Sequence, residues 1–301
     1  MSKLGIIILN WNNYIDTKIC IESVLLIKIN EILSIDIFVI DNNSQDGSGD
    51  KLEKEFFHKV NYYDTGSNGG YTGGNNFGIQ RALDSNCDYI LVLNNDLEID
   101  NISSMLDSVV KVFKSDDKIG IIGFDIFDYE TRKQLKTDSY SNRIFNKLLD
   151  IDTSKKYLQN GLSFSNERSV CGCAICFHKD CIREIGLFDE NFFMYAEEHD
   201  ICLRAIKNSW SVIKINDKFS KIYRKIDPIS EKQLIWYYGT RNIFYAYKKN
   251  LSKINKYFFS FIQVSIYMKQ IISFILDSKS NIASQIWSGL VDGYKNNYER
   301  K

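Results

Sequence analysis

YILVLNNDLEID, residues 89–100, is an apolar run that stops at Asn94, Asn95 and Asp96. A strand that is apolar at every position, rather than at every second one, is buried on both faces, as in parallel sheets covered by helices. The same signature recurs upstream in LGIIILN (4–10), IDIFVID (35–41) and KVNYYD (59–64), with helical patterns at about 15–29, 47–57 and 76–85 between the strands. Strand and helix alternation of this kind predicts a Rossmann-like, mostly parallel, doubly wound α/β sheet.

Such sheets bind ligands in the crevice at the carboxyl ends of their strands. Here those ends read NWNN (10–13), DNNSQDGS (41–48), DTGSNGGYTGGNN (64–76) and NND (94–96). Asn, Asp, Gly and Ser also make turns and helix N-caps, which accounts for about half of these residues. Four such loops converging on one edge exceed what turns require.

Beyond residue 100 the chain reads as a helix near 102–114, a strand at 119–127 and a polar stretch at 128–167 taken as an insertion or loop. A strand at 168–180, a segment at 185–210 that ends as a helix, and a strand at 211–216 follow. The expected division is a catalytic unit at 1–228, with a nucleotide-binding half (1–100) and an acceptor half (101–228), then a helical extension at 229–301.

The chain has 301 residues, with 38 Lys plus Arg and 38 Asp plus Glu, so it carries no overall field to attract nucleic acid. The charge is uneven locally. Between Lys232 and Leu276 stand Lys232, Arg241, Lys248, Lys249, Lys253, Lys256 and Lys269 without one acid. KYFFSFIQVSIYMKQIISFIL (256–276) is interrupted by Gln263, Lys269 and Gln270, a poor bilayer span but a fair amphipathic helix for an anionic membrane surface. The start, MSKLGIIILNWNN, has too short an apolar run for export, so a cytoplasmic protein, peripheral at the inner face of the membrane, is expected. Cys171, Cys173, Cys176 and Cys181 lack the paired CxxC spacing of zinc sites and read as core thiols.

Among the carboxylates, Glu198 shares a helix face with Ile201, Cys202 and Ala205 and so points inward, where the helix start favours its ionised form. It is the candidate general base, with Glu197 as the second choice; helix N-terminal charge explains both about as well. Asp200 is expected to make a modest surface pair with Arg204. Asp96 suits a hard divalent cation, Mg2+ or Mn2+, which takes one or two carboxylates plus diphosphate oxygens. An Asx turn or N-cap before the helix at 102 explains Asp96 equally well on position alone.

The series IIILNWNN, FVIDNNSQDGS, NGGYTGGNNFGI, YILVLNNDLEI and GLFDENFFMYAEEHDICLR, followed by YYGTRN, resembles the family-2 glycosyltransferases with a GT-A fold, in particular their rhamnosyltransferase-like branch. The match runs in the family's order over roughly residues 4–245. It implies inverting transfer from a nucleotide-sugar donor, dTDP-rhamnose or a UDP-sugar, to a hydroxyl of a glycan or lipid-linked acceptor in bacterial surface-polysaccharide synthesis. It places Asn10, Trp11, Asn12, Asp41 and Asn43 around the nucleotide, and Asn68, Gly70, Gly73, Gly74, Asn75 and Asn95 around the nucleotide and sugar. Asp96 would hold the divalent metal, and Glu198 would stand at the base position.

Two departures follow from the same resemblance. Relatives commonly carry a histidine after the last catalytic strand; here DKFSKIYRKIDPIS has none, leaving Tyr223 or water as substitutes. Position 198 is Glu where Asp is usual. A sugar nucleotidyltransferase would need a basic, triphosphate-binding first loop, which ILNWNNYID lacks. The remaining alternative is an inactive nucleotide-sugar-binding subunit of a complex. The expected partners include a second copy of the chain, as a homodimer.

Overall fold

The computed structural model describes residues 1–27, 33–135, 156–159, 162–216, 220–225 and 231–299. Its first third follows the expected alternation: β1 (Ser2–Asn10), α1 (Tyr14–Leu25), β2 (Leu33–Asp41), α2 (Ser48–Glu55), β3 (Asn61–Asp64), α3 (Gly70–Asp84) and β4 (Tyr89–Asn94). The strands are buried on both sides. Leu4, Ile6 and Ile8 of β1 enter one core layer with Cys20 and Val24 of α1, while Ile7 enters the other with Ile79 and Ala82 of α3.

Helix α3 begins at Gly70, six residues before the expected start, so much of the glycine-rich stretch is helix and not loop. Four glycines in a helix are unfavourable by propensity, which hides it from pattern reading. Packing reverses the balance, because a Cβ at Gly74 would lie 2.4 Å from Leu9 and one at Gly78 2.5 Å from Ile7. The helix lies closer to the sheet than any side-chained residue allows.

The second part adds β5 (Leu97–Ile99), α4 (Ile102–Phe113), β6 (Ile119–Phe124), β7 (Ile126–Asp128), β8 (Lys156–Gln159), β9 (Leu162–Asn166), β10 (Ala174–His178), α5 (Lys179–Ile185), α6 (Glu197–Lys207), β11 (Ser211–Asn216) and β12 (Ile222–Arg224). The stretch read as a loop at 128–167 therefore contributes a strand pair, β8 and β9, to the sheet edge beside β11; its residues 136–155 lie outside the described ones. The large sheet runs β3-β2-β1-β4-β10-β6-β11-β9-β8, and a small one runs β5-β12-β7. β1 is parallel to β2 and β4, β2 to β3 and β6 to β11, whereas β10 is antiparallel to both β4 and β6. That reversal brings the residues before β10 to the edge where β1, β2 and β4 end.

Three helices close the chain: α7 (Glu231–Asn250), α8 (Lys253–Leu276) and α9 (Ser280–Lys295). Their core, with Phe244, Tyr247, Phe259 and Ile286, also takes in Phe192, Ala196 and Leu203. The basic run here is partly consumed by packing. Arg241 is fully buried against the carbonyls of Asn191, Phe192 and Glu299, Lys248 bonds the carbonyls of Gly293 and Tyr294, and Lys249 pairs with Asp189 and Asp200. Lys253, Lys256 and Lys269 remain on α8, so three of the seven cations serve packing within the protein and the amphipathic helix keeps its own.

Candidate active site

Strand register builds the crevice. Asn10 pairs in register with Asp41, Asp41 with Asp64, and Leu9 with Asn94, so the four polar strand ends lie along one edge. A hydrogen-bond chain ties them together. Asn95 Nδ2 donates to Thr17 Oγ1 (2.7 Å), Thr17 donates to Asn10 Oδ1 (2.7 Å), and Asn10 Nδ2 donates to Asp41 Oδ1 (2.6 Å). Asp41 also accepts from the Ser44 amide and hydroxyl, which leaves it buried and fully engaged.

Asn12 and Asn43 take the left-handed conformation (φ 49° and 60°) that their short amide side chains tolerate, and both bond Gln45. Trp11 is 51% exposed beside them. Asn42, which the sequence did not single out, is buried and holds Asn68 and the Gly69 and Gly70 backbone. Gly70 (φ +69°) lies where a Cβ would meet Phe193 at 2.4 Å. Gly73 borders open space, whereas Gly74 and the buried Asn75 are turned into the protein.

Asp96 follows β4. It is not the cap of α4, since Asn101 accepts from the Ser104 amide there. Its Oδ2 accepts from Arg224 Nε at 2.9 Å and its carbonyl from the Lys225 amide at 3.0 Å, because β12 pairs Arg224 with Leu97. Its Oδ1 is buried with no hydrogen-bond partner among the described residues. One free carboxylate oxygen suits a cation that draws its other ligands from a diphosphate. No group of three or more His, Cys, Asp or Glu side chains able to hold a metal occurs among the described residues. Tyr223, offered as a substitute ligand, instead packs on Phe127 with Arg132 over its ring at 4.2 Å, since neighbouring strand residues face opposite ways.

The acid pair opens α6. Glu197 is 5% exposed with Oε2 unpartnered among the described residues, while the Glu198 side chain keeps 22% of its surface. Burial raises both carboxyls, Glu198 to about 7 and Glu197 well above the usual range, the second also because Glu198 lies beside it. Desolvation thus outweighs the helix start, and the expectation of a readily ionised Glu198 is corrected. His199 Nε2 lies 3.8 Å from Glu198, but burial holds its imidazole neutral, down to about 3, so it forms no ion pair. Asp200 is fully buried, not superficial, and bonds Arg204 (2.8 Å), Asn250 (2.7 Å) and Lys249 (3.2 Å).

Between Asp96 and the glutamates stands Cys171–Gly172–Cys173, delivered by the reversal of β10. The Asn94 amide donates to the Cys173 carbonyl (2.8 Å) and Tyr71 Oη to the Gly172 carbonyl (2.5 Å), while Glu197 and Glu198 border Gly172. Cys171 and Cys173 lie 3.2 Å apart, and the hydrogen bond from Cys173 lowers the half-buried Cys171 thiol to about 7. Reading Cys171 as core thiol is therefore incomplete: it belongs to the crevice wall.

The segment leading into α6 is strained. Phe193, Tyr195 and Ala196 all have φ between 63° and 66°. Asn242 Nδ2 reaches the carbonyls of Phe192 (2.9 Å), Met194 (2.7 Å) and Tyr195 (2.9 Å), and Arg241 holds Asn191 and Phe192. The Arg-Asn of YYGTRN is thus a clamp that fixes where the acid pair points.

A doubly wound sheet with a polar crevice at its strand ends, an acid after β4 and an acid pair at a helix start define an α/β protein of the GT-A type. The chain belongs to glycosyl transferase family 2, whose model matches residues 5–186, more than half its length. It is 28% identical over 216 residues to the low-salt glycan biosynthesis hexosyltransferase Agl10 of Haloferax volcanii, covering 70% of this chain and 64% of that protein, just under two thirds. Two solved structures share the fold. The mannosyltransferase PcManGT of Pyrobaculum calidifontis, in complex with GDP-Man and Mn2+, superposes with a TM-score of 0.62 at 10% identity over 97% of this chain and 87% of that one. S. aureus TarS 1-349, in complex with UDP-GlcNAc, gives 0.61 at 14% identity over 98% and 81%.

Proposed function

We propose that the protein is an inverting glycosyltransferase that moves a sugar from a nucleotide-sugar donor to a hydroxyl of a glycan or lipid-linked acceptor. The observation that carries this reading is the placement of Asp96 and Glu198 on either side of the Cys171–Cys173 turn, at the edge where the polar strand ends meet. In this reading residues 1–228 bind donor and catalyse, and the helices from 229 onward support and locate them.

Trp11, Asn12, Asn43 and Asn68 line the nucleotide side, and the Asn10–Asp41 network holds their loops in shape. Asp96 would hold Mg2+ or Mn2+ through Oδ1, and the cation would neutralise the departing diphosphate. Arg224 adds fixed positive charge beside the same carboxylate, whereas the Lys225 ammonium pairs with Asp16. Glu198 takes the acceptor hydroxyl proton as that oxygen bonds the anomeric carbon and the bond to the diphosphate breaks. Attack from the face opposite the leaving group inverts the centre. The donor is dTDP-rhamnose or a UDP-sugar, and the complexes of the similar structures add GDP-sugars to the set worth testing.

A screen of UDP-, dTDP- and GDP-sugars with and without Mn2+, read as free nucleotide, tests the reading. Release or transfer from at least one donor is expected, with Asp96→Asn weakening the metal-dependent part. The engagement of Asp96 Oδ2 by Arg224 favours a second reading, a nucleotide-sugar-binding subunit without turnover. Nucleotide binding without release from any donor, in the presence of membrane lipid extract, would select it.

A further inference from the structure

Beside Glu198 lies a second, half-open cavity of about 400 Å3, lined by the first turn of α6, by α7 and by α8. Glu198 and His199 contribute from α6, Trp236, Gly239 and Thr240 from α7, and Gln263, Tyr267 and Gln270 from α8. It differs chemically from the crevice of strand ends. Among the described residues no Lys or Arg lines it, and the one acid is Glu198, so a diphosphate finds no cation there. Its walls pair aromatic faces with amides. The Gln263 and Thr240 side chains lie beside the Tyr267 hydroxyl, and Trp236 is held edge-on by Phe274, 5.1 Å between centroids.

The amide oxygens of Gln263 and Gln270 and Nδ1 of His199 have no hydrogen-bond partner among the described residues. Gln263 is only 8% exposed, and a buried acceptor left unsatisfied is costly. Such groups call for a ligand that brings hydroxyl donors. Largely apolar walls with a few converging polar groups are the general form of a small-molecule site, and the volume is at the lower end of that class. On its outer side the same helix α8 exposes Tyr257, Phe261, Met268 and Ile272, an apolar face running past the cavity.

We propose that this cavity is the acceptor subsite, taking the terminal sugar of an acceptor whose apolar carrier lies along the outer face of α8. The proposal rests on the glycosyltransferase reading, and it moves acceptor recognition out of residues 101–228 into the C-terminal helices. Gln263 and Gln270 accept hydrogen bonds from the sugar's hydroxyls, Trp236 and Tyr267 offer ring faces, and one hydroxyl reaches Glu198. A methyl glycoside and an alkyl glycoside of the same sugar should therefore differ in affinity, because only the second reaches the apolar face.

Gly239 provides a clean test, since a Cβ there meets nothing within 4 Å and the residue is inside a helix. Gly239→Phe fills the cavity while raising helix propensity, so loss of folding is not expected. The probes are n-octyl and methyl glycosides of glucose, galactose, N-acetylglucosamine and rhamnose carrying a photoreactive diazirine. Labelled peptides are mapped by mass spectrometry, and fluorescent UDP, dTDP and GDP report donor-side binding in parallel.

At least one octyl glycoside should label residues 231–276 saturably and more strongly than its methyl counterpart. Gly239→Phe, and separately Gln263→Ala with Gln270→Ala, should reduce that labelling at least tenfold while nucleotide binding stays within twofold. Absence of saturable labelling by every octyl glycoside, or labelling unchanged in Gly239→Phe, overturns the proposal. Failure of the transferase reading looks different, because the wild-type chain would then release nucleotide from none of the donors, whatever the outcome of the labelling.

Discussion

Burial of Glu197 and Glu198 sets the pH at which the site accepts a proton. With Glu198 raised to about 7, the ionised base is a minority species at pH 6 and the majority at pH 8. The rate of transfer at limiting acceptor should therefore rise with pH through about 7 and level off above it. Glu198→Gln should cost about 100- to 10,000-fold in rate while leaving nucleotide affinity and melting temperature near wild type. A pH profile flat from 5.5 to 8.5, or an unimpaired glutamine variant, would sink the base assignment.

The same shifts bear on stability. The folded chain holds these protons more tightly than an unfolded one, whose glutamates titrate near 4.5, so stability is fullest below about 4.5 and declines as pH rises toward 7. For Glu198 the window is worth on the order of 3 kcal/mol. Glu197→Gln removes a second buried carboxyl with an unpartnered oxygen and should flatten the fall in melting temperature between pH 5 and 8; an unchanged slope would mean that Glu197 is solvated. The sequence identified both glutamates, but their order of burial follows from the left-handed entry to α6, which no helical periodicity contains.

At the level of elements, the segment 192–196 and helix α7 act as a strained part and its clamp. Three consecutive-region residues with positive φ cost of order 1–3 kcal/mol each and persist only when neighbours over-determine them. Asn242 supplies that constraint through three carbonyls. Asn242→Ala should lower unfolding stability in urea by about 2–4 kcal/mol. Transfer should fall further than unfolding predicts, because relaxation of Tyr195 and Ala196 reorients the acid pair. A variant that loses stability but keeps full rate per folded molecule would show that the clamp is structural alone.

Legibility varied among the elements for physical reasons. β1, β2 and β4 were plain, because strands buried on both faces must be apolar throughout and polar residues could appear only at their ends. The start of α3 was hidden because its glycines serve close packing against Leu9 and Ile7 rather than helix propensity. The direction of β10 was unreadable, since an apolar strand has the same composition either way round. Arg224 beside Asp96 was equally invisible: only the pairing of β12 with β5 joins positions 128 residues apart.

For the whole molecule the open question is what covers α8. By length and composition Asn255–Leu276 could cross a membrane, yet only 17% of its most apolar window is buried. Gln263 and Gln270 point inward to the cavity, which leaves the outer face of α8 more apolar than the sequence average suggests. Tyr257, Phe261, Val264, Met268, Ile272 and Ile275 form one outward stripe, whereas Phe259, Gln263 and Ile271 are buried on the other side.

A helix packed along one face of a folded domain can lie in a membrane interface with its other face inserted, and Lys253, Lys256 and Lys269 then meet anionic headgroups. About 1 kcal/mol per lysine makes the electrostatic part worth roughly 100-fold in partitioning. That part should vanish in 1 M salt, where the Debye length is about 3 Å. The aromatic part should survive, so flotation on phosphatidylglycerol liposomes should weaken with salt but not disappear. Phe261→Asp with Ile272→Asp should abolish it at any salt and leave nucleotide binding intact. If the double variant still floats, the apolar stripe is not the attachment face, and its exposure must serve contact with another protein instead.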